Sequence, residues 1–265
     1  MKKLLMLFML AAVAVACNNK RGTTATTEAE EDTSVFKYKE FTWADDAPHY
    51  ESSLNIDFPV SGDEQLCEAL FDYIRAQMED YIGEVPETAD MQDDGDAFVE
   101  SYGKLSSENL HSGWEAYSDG DDSVESLYES ASATITDTDD YVTCEFIYDC
   151  YFGGDGYSAV KGATFLKDDA TKVDAKFLFN EPESDALLEV LHKALKKAYT
   201  GNEGFLEPEF IDEMTDFPDD YYITKDGIAF TFSQSAAAWF LLHGTIPLDD
   251  VSDLLTDEAL GILGL

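Results

Sequence analysis

Basic residues are scarce in this chain. Sixteen lysines and arginines stand against 56 aspartates and glutamates, a formal net charge of −40 over 265 residues. Nucleic-acid binding draws most of its affinity from phosphate contacts and needs a basic footprint, so nucleic acid is excluded as a partner. Histidine is rare as well. His49, His111, His192 and His243 are scattered, with no spacing that would gather a metal. There is no Gly-x-Ser-x-Gly elbow and no phosphate-cradling glycine loop ending in Lys-Ser or Lys-Thr. No cofactor is expected. Long apolar runs are missing too: the longest, Leu4 to Ala16, is shorter than the roughly 20 residues of a spanning helix. Cysteines number four. Cys144 and Cys150 sit on one strand-like segment, about 20 Å apart if extended, far beyond disulfide reach. Cys67 could pair with one of them only if the fold brings its helix close, and core thiols are the expected role.

What the chain does have begins at its first residues. Met1-Lys2-Lys3, the apolar run, and then Ala14-Val15-Ala16 before Cys17 have the anatomy of a secretory signal peptide. Together they resemble a bacterial lipobox, whose cysteine is acylated and becomes the mature N-terminus. Each buried CH₂ contributes about 0.8 kcal/mol, so the several acyl chains of a lipoprotein hold a membrane almost irreversibly. Cys17 is thus the expected lipidation site. Asn18 and Asn19, with no acidic cluster beside the cysteine, favour the periplasmic face of an outer membrane over the cell surface. Residues 1–16 read as the signal peptide. Residues 17–34, polar and rich in Thr and Glu, read as a flexible tether.

The rest, 35–265, holds enough apolar and aromatic residues (45% and 13% of the whole chain) to build a core. Val35–Ala44 and Glu51–Phe58 alternate like strands. Ser61 with Glu64 suggests a capping box opening a helix whose stripe is Leu66, Leu70, Ile74, Met78 and Ile82. Residues 86–113 are acidic and only weakly helical. Strand periodicity returns from Trp114, strongest at Tyr141–Phe152, and the glycines from Gly153 turn the chain into a strand at Ser158–Leu166. A second strong helix carries Leu187, Leu188, Leu191 and Leu195 up to Gly201. A strand pair about Asp226-Gly227 follows, then a short strand and helical turns over Ile246–Leu263. The pattern predicts an α+β fold: mainly antiparallel sheet with two principal helices packed on one face.

Two segments carry a resemblance: Tyr151-Phe152-Gly153-Gly154-Asp155-Gly156-Tyr157-Ser158 running on to Leu178-Phe179, and Tyr221-Tyr222-Ile223-Thr224-Lys225-Asp226-Gly227-Ile228 followed by Ile246-Pro247-Leu248. Together they resemble the extracytoplasmic domain of the lysozyme-sensing anti-sigma factor RsiV and its lipoprotein relatives. The resemblance implies a division into an N-terminal part, 35–113, and an RsiV C-terminal-like part, 114–265. It departs at two loops. Asp155 stands where the family commonly has a histidine, and Ser233–Trp239 replaces an aromatic and acidic run.

Function reads as a lipid-anchored extracytoplasmic binding or sensing module rather than an enzyme. Its partners would be the membrane, through the lipid, and a cationic protein such as lysozyme or another envelope component. The expected ligand contacts are Tyr151, Gly153, Gly154, Asp155, Gly156 and Tyr157, because glycines admit close backbone approach and tyrosines anchor interfaces. An envelope enzyme acting on glycan through paired carboxylates, or a structural lipoprotein, are the alternatives. Asp90–Gly95 matches the opening of a calcium loop, but Ser101 stands where the bidentate Glu belongs, so a solvated acidic loop is expected there and at Asp119–Asp122.

Overall fold

The computed structural model describes residues 35–118, 126–153, 156–200, 208–232 and 242–265. Cys17 and the stretches before residue 35 lie outside them. Alternating side chains make β1 (Lys37–Ala47) and β2 (Tyr50–Ser61) an antiparallel hairpin, with Phe41 opposite Ile56 and Trp43 opposite Leu54 on the core face. Helix α1 (Glu64–Tyr81) follows. Its cap is Asp63, whose carboxylate accepts from the N–H groups of Gln65 and Leu66 at 3.0 and 3.2 Å. Ser61, expected in that role, is still in β2 and donates to the Val35 carbonyl instead.

Helix α2 (Gly95–Ser118) is longer than its weak periodicity suggests, and it includes Trp114, where a strand was expected to begin. Asp94 starts it by accepting from the Ala97 N–H at 3.0 Å. The helix lies close to the sheet because small residues face it. A Cβ on Gly103 would fall 2.2 Å from the Trp43 ring, and one on Gly95 2.5 Å from Phe41. Strands β3 (Leu127–Asp137), β4 (Tyr141–Tyr151) and β5 (Gly156–Leu166) form an antiparallel meander. β3 joins β2 in parallel, as a connection through two helices permits, giving a five-stranded sheet in chain order.

The remaining elements are α3 (Ala175–Leu178), α4 (Asp185–Ala198), α5 (Pro208–Glu213), β6 (Asp220–Thr224), β7 (Gly227–Thr231), β8 (His243–Ile246), α6 (Leu248–Val251) and α7 (Asp257–Leu263). The last three strands make a second antiparallel sheet, β6-β7-β8. The fold is therefore mixed α+β with mostly antiparallel pairing. The two helices with the strongest stripes, α1 and α4, sit over different sheets. Leu66, Leu70 and Ile74 of α1 join Ile56, Phe58 and Phe146 in one core. Leu187, Leu191 and Leu195 of α4 join Ile223, Ile228, Phe230 and Ile246 in another. The first core gathers residues from Phe41 to Phe165 and the second residues from Val173 to Ala259.

The sheets are fastened through β5 and β6. The Tyr222 ring lies on Gly162, where a Cβ would come within 2.4 Å of it, and its hydroxyl donates to Glu145 at 3.2 Å. The Ile223 N–H donates to the Thr164 hydroxyl at 2.8 Å, and Lys172 pairs with Asp220 at 2.8 Å.

Candidate functional site

The β4–β5 turn sends its two tyrosines to opposite faces. Cys150 pairs with Tyr157 and Tyr151 with Gly156, so the alternation of the strands separates them. Tyr157 is on the helix side, where its ring stacks 6.1 Å from Tyr81. Tyr151 is on the other face, its ring 6.3 Å from that of Tyr128. Gly153 takes a φ of 86°, and a Cβ there would meet the Tyr117 ring at 2.7 Å, so the turn needs glycine twice over. Gly156 begins β5 in an exposed position. Gly154 and Asp155 lie outside the described residues. Tyr151, Gly153, Gly156 and Tyr157 thus surround one end of the sheet without converging on one hollow.

A surface does emerge on the face of the five-stranded sheet opposite α1 and α2. The registers align its side chains in rows across the strands. One row runs Asp46, Glu51, Tyr128, Tyr151. The next is small and polar: Ala44, Ser53, Ser130, Asp149, Ser158. A third centres on Asn55, Ser132 and the exposed Ile147, and a fourth carries Glu40, Asp57 and Glu145. Ser53, Asn55, Ser130, Ser132 and Ile147 line a shallow depression of about 160 Å³ in the middle. No lysine or arginine occupies an outward position on these strands among the described residues. Burial, with the charge of Glu40 adding to it, raises the Asp57 carboxyl against a lowering hydrogen bond from the Ile135 N–H at 2.9 Å. Tyr128 donates to Asp149 at 3.2 Å, which fixes an acidic and aromatic pair on the open surface.

At the same end of the sheet, but on its helix side, lies an aromatic cluster. His49 stacks on Trp114 with ring centroids 4.0 Å apart, His111 meets Tyr50 edge-on at 6.0 Å, and Tyr117 and Phe152 are 47% and 37% exposed. Exposed aromatics beside an acidic sheet offer apolar anchors within a charged rim.

Under α2, on the buried face, lies a polar row that sequence reasoning missed. Ser52 and Ser106 hydroxyls are 2.7 Å apart, and Tyr148 donates to Glu129 at 2.6 Å. Glu129 is 2% exposed, and burial raises its carboxyl, opposed by the hydrogen bonds of Ser106 and Tyr148. The available signal was its phase: it falls in step with Leu127, Ala131 and Ala133 on the inward side of β3. The three described cysteines are free, Cys144 and Cys150 buried and Cys67 half-buried. Among the described residues no group of three or more His, Cys, Asp or Glu side chains is gathered for a metal ion. Asp94, in the calcium-like stretch, caps α2, and Asp119–Asp122 lie outside the described residues. Among the described residues no helix is long and apolar enough to cross a membrane.

No family model and no curated protein matches this chain. Solved structures do. A DUF3298 family member from Bacteroides fragilis is 19% identical with a TM-score of 0.55, the match covering 88% of this chain and 98% of that one. A DUF3298 family protein from Pseudomonas aeruginosa PAO1 is 11% identical with a TM-score of 0.50, over 86% and 97%. At these identities the likeness is one of fold: this chain shares the architecture of DUF3298 family structures over nearly their whole length.

Proposed function

We propose that the protein is an extracytoplasmic module, anchored through an acylated Cys17 on the periplasmic face of an outer membrane, that binds a cationic protein or envelope component without transforming it. The binding surface is the open face of β1–β5, where Tyr128 and Tyr151 lie together. One observation carries the reading: Glu40, Asp46, Glu51, Asp57 and Asp149 share that face with no basic residue between them. Such a surface draws a positive partner inward and rejects anionic ones. Tyr128, Tyr151 and Ile147 supply the apolar contact that charge alone does not give. The resemblance of residues 151–179 and 221–248 to the RsiV extracytoplasmic domain makes lysozyme the first partner to test.

The test is a titration of the protein with lysozyme at about 20 and about 150 mM salt, where the screening length falls to roughly 8 Å. A triple variant, Glu51→Gln, Asp149→Asn and Glu40→Gln, is compared with Asp253→Asn and Glu258→Gln, which lie away from the face. Affinity should drop about tenfold with salt and by a similar factor in the triple variant only. Binding that is absent, or that ignores both salt and the triple variant, removes the reading.

A further inference from the structure

The five-stranded sheet ends at β1, and among the described residues no strand pairs with its outer edge. That edge is 11 residues long, with its one irregularity confined to Lys37/Tyr38. Lysines on an edge strand often serve only to blunt it. Here the same edge carries the answering charges at its other end: Lys37 and Lys39 in the first half, Asp45 and Asp46 in the second.

From this polarity we infer that β1 pairs antiparallel with β1 of a second copy about a two-fold axis at Thr42, joining two five-stranded sheets into one of ten. The strand reads as its own complement. On the core face the order is Lys39, Phe41, Trp43, Asp45, so Lys39 meets the partner's Asp45 and Phe41 meets the partner's Trp43, each twice by symmetry. On the outer face Tyr38 meets the partner's Asp46 and Thr42 meets itself. No like charges oppose one another. Sliding two residues one way sets Glu40 against the partner's Asp46, and two the other way sets Lys39 against the partner's Trp43. A slip of one residue turns the core row outward. Main-chain hydrogen bonds supply the attraction and the charge order selects the register. Lys39 is held for the purpose, lying 4.4 Å over the Phe41 ring beside the edge. The inference does not depend on the proposed ligand face, which the added strands leave open.

The experiment is sedimentation of the purified full-length protein over about 1–100 μM at roughly 0.15 M salt, where the mutual repulsion of two strongly negative bodies is screened. The expected result is a concentration-dependent monomer–dimer equilibrium. Lys39→Asp and Asp45→Lys should each weaken the dimer about tenfold or more, since every lost pair counts twice and a like-charge pair replaces it. The double variant K39D/D45K should return to within about threefold of the parent, because it restores both pairs in reverse. Thr42→Cys in a Cys67→Ser background should give a disulfide-linked dimer on mild oxidation, while Thr134→Cys, exposed on an inner strand, should not. A monomer throughout the range, a dimer indifferent to the single reversals, or a double variant that stays dissociated overturns the inference.

Discussion

Replacing Gly162 with alanine should separate the two sheets at their point of contact. A Cβ there would lie 2.4 Å from Tyr222 Cγ and Cδ2. Carbon atoms pack at about 3.5–4.0 Å, so the ring must retreat by roughly 1 Å. It cannot do so by swinging its tip, because the collision is at the ring's base and Tyr222 is 2% exposed. Overpacking of this kind costs about 1–3 kcal/mol. The retreat also draws the hydroxyl away from Glu145, now 3.2 Å distant, for about 1 kcal/mol more. Against this, alanine in a strand gains about 0.5–1 kcal/mol over glycine. The net loss is about 2 kcal/mol, read in urea as a midpoint lowered by about 1 M or in a thermal scan as a drop of roughly 4–8 °C. In a Tyr222→Ala background the collision has no partner, and the same substitution should be neutral or slightly stabilising. An equal loss in both backgrounds would refute the account and place the cost in the backbone of Gly162 instead.

Three further outcomes follow from other sites. Burial raises Glu129 in the folded chain, so its contribution to stability is fully present below the unfolded carboxylate value near 4.3 and is lost as pH rises through the native value. The stability gap between the parent and Glu129→Gln should therefore shrink as pH rises from about 4, and parallel urea profiles at all pH values above that would contradict it. Thr256 donates to the Phe177 carbonyl at 2.6 Å and caps α7 by accepting from the Ala259 N–H at 3.0 Å. Thr256→Val should cost about 1–2 kcal/mol in urea unfolding while Thr256→Ser costs little. Burial pushes the thiols of Cys144, Cys150 and Cys67 up, the last with help from Asp63 and Asp93. A thiol reagent at about pH 8 should label Cys67 slowly in the folded protein and Cys144 only after denaturation; rapid native labelling of Cys144 would count against its burial.

The sequence made α1 and α4 legible because their leucines recur without interruption, and the Asp226-Gly227 turn because glycine there takes a φ of 140°. The second half of α2 was illegible for a physical reason. It approaches the sheet through Gly103, Ser106 and Ser107 rather than through bulky side chains, so closeness replaces the apolar stripe a periodicity search needs. The assignment of α1 and α4 to separate sheets was equally hidden, since a stripe shows that a face is buried and not what covers it. The Gly-rich turn was readable as a turn, and Gly153 has the backbone to match. The acidic face was not readable as a surface. Glu40, Asp57 and Glu145 are distant in the chain and become neighbours only once the strand registers are known.

The parallel ladder from Tyr50–Leu127 to Ile56–Ala133 acts as a seam in the large sheet. On either side of it, strands meet through short turns and close at little entropic expense. Across it, pairing closes a loop that spans both intervening helices, at a larger entropic cost than either short turn. The hairpin and the meander are thus two prefabricated panels, and α1 and α2 are the hinge-plate that brings their edges together.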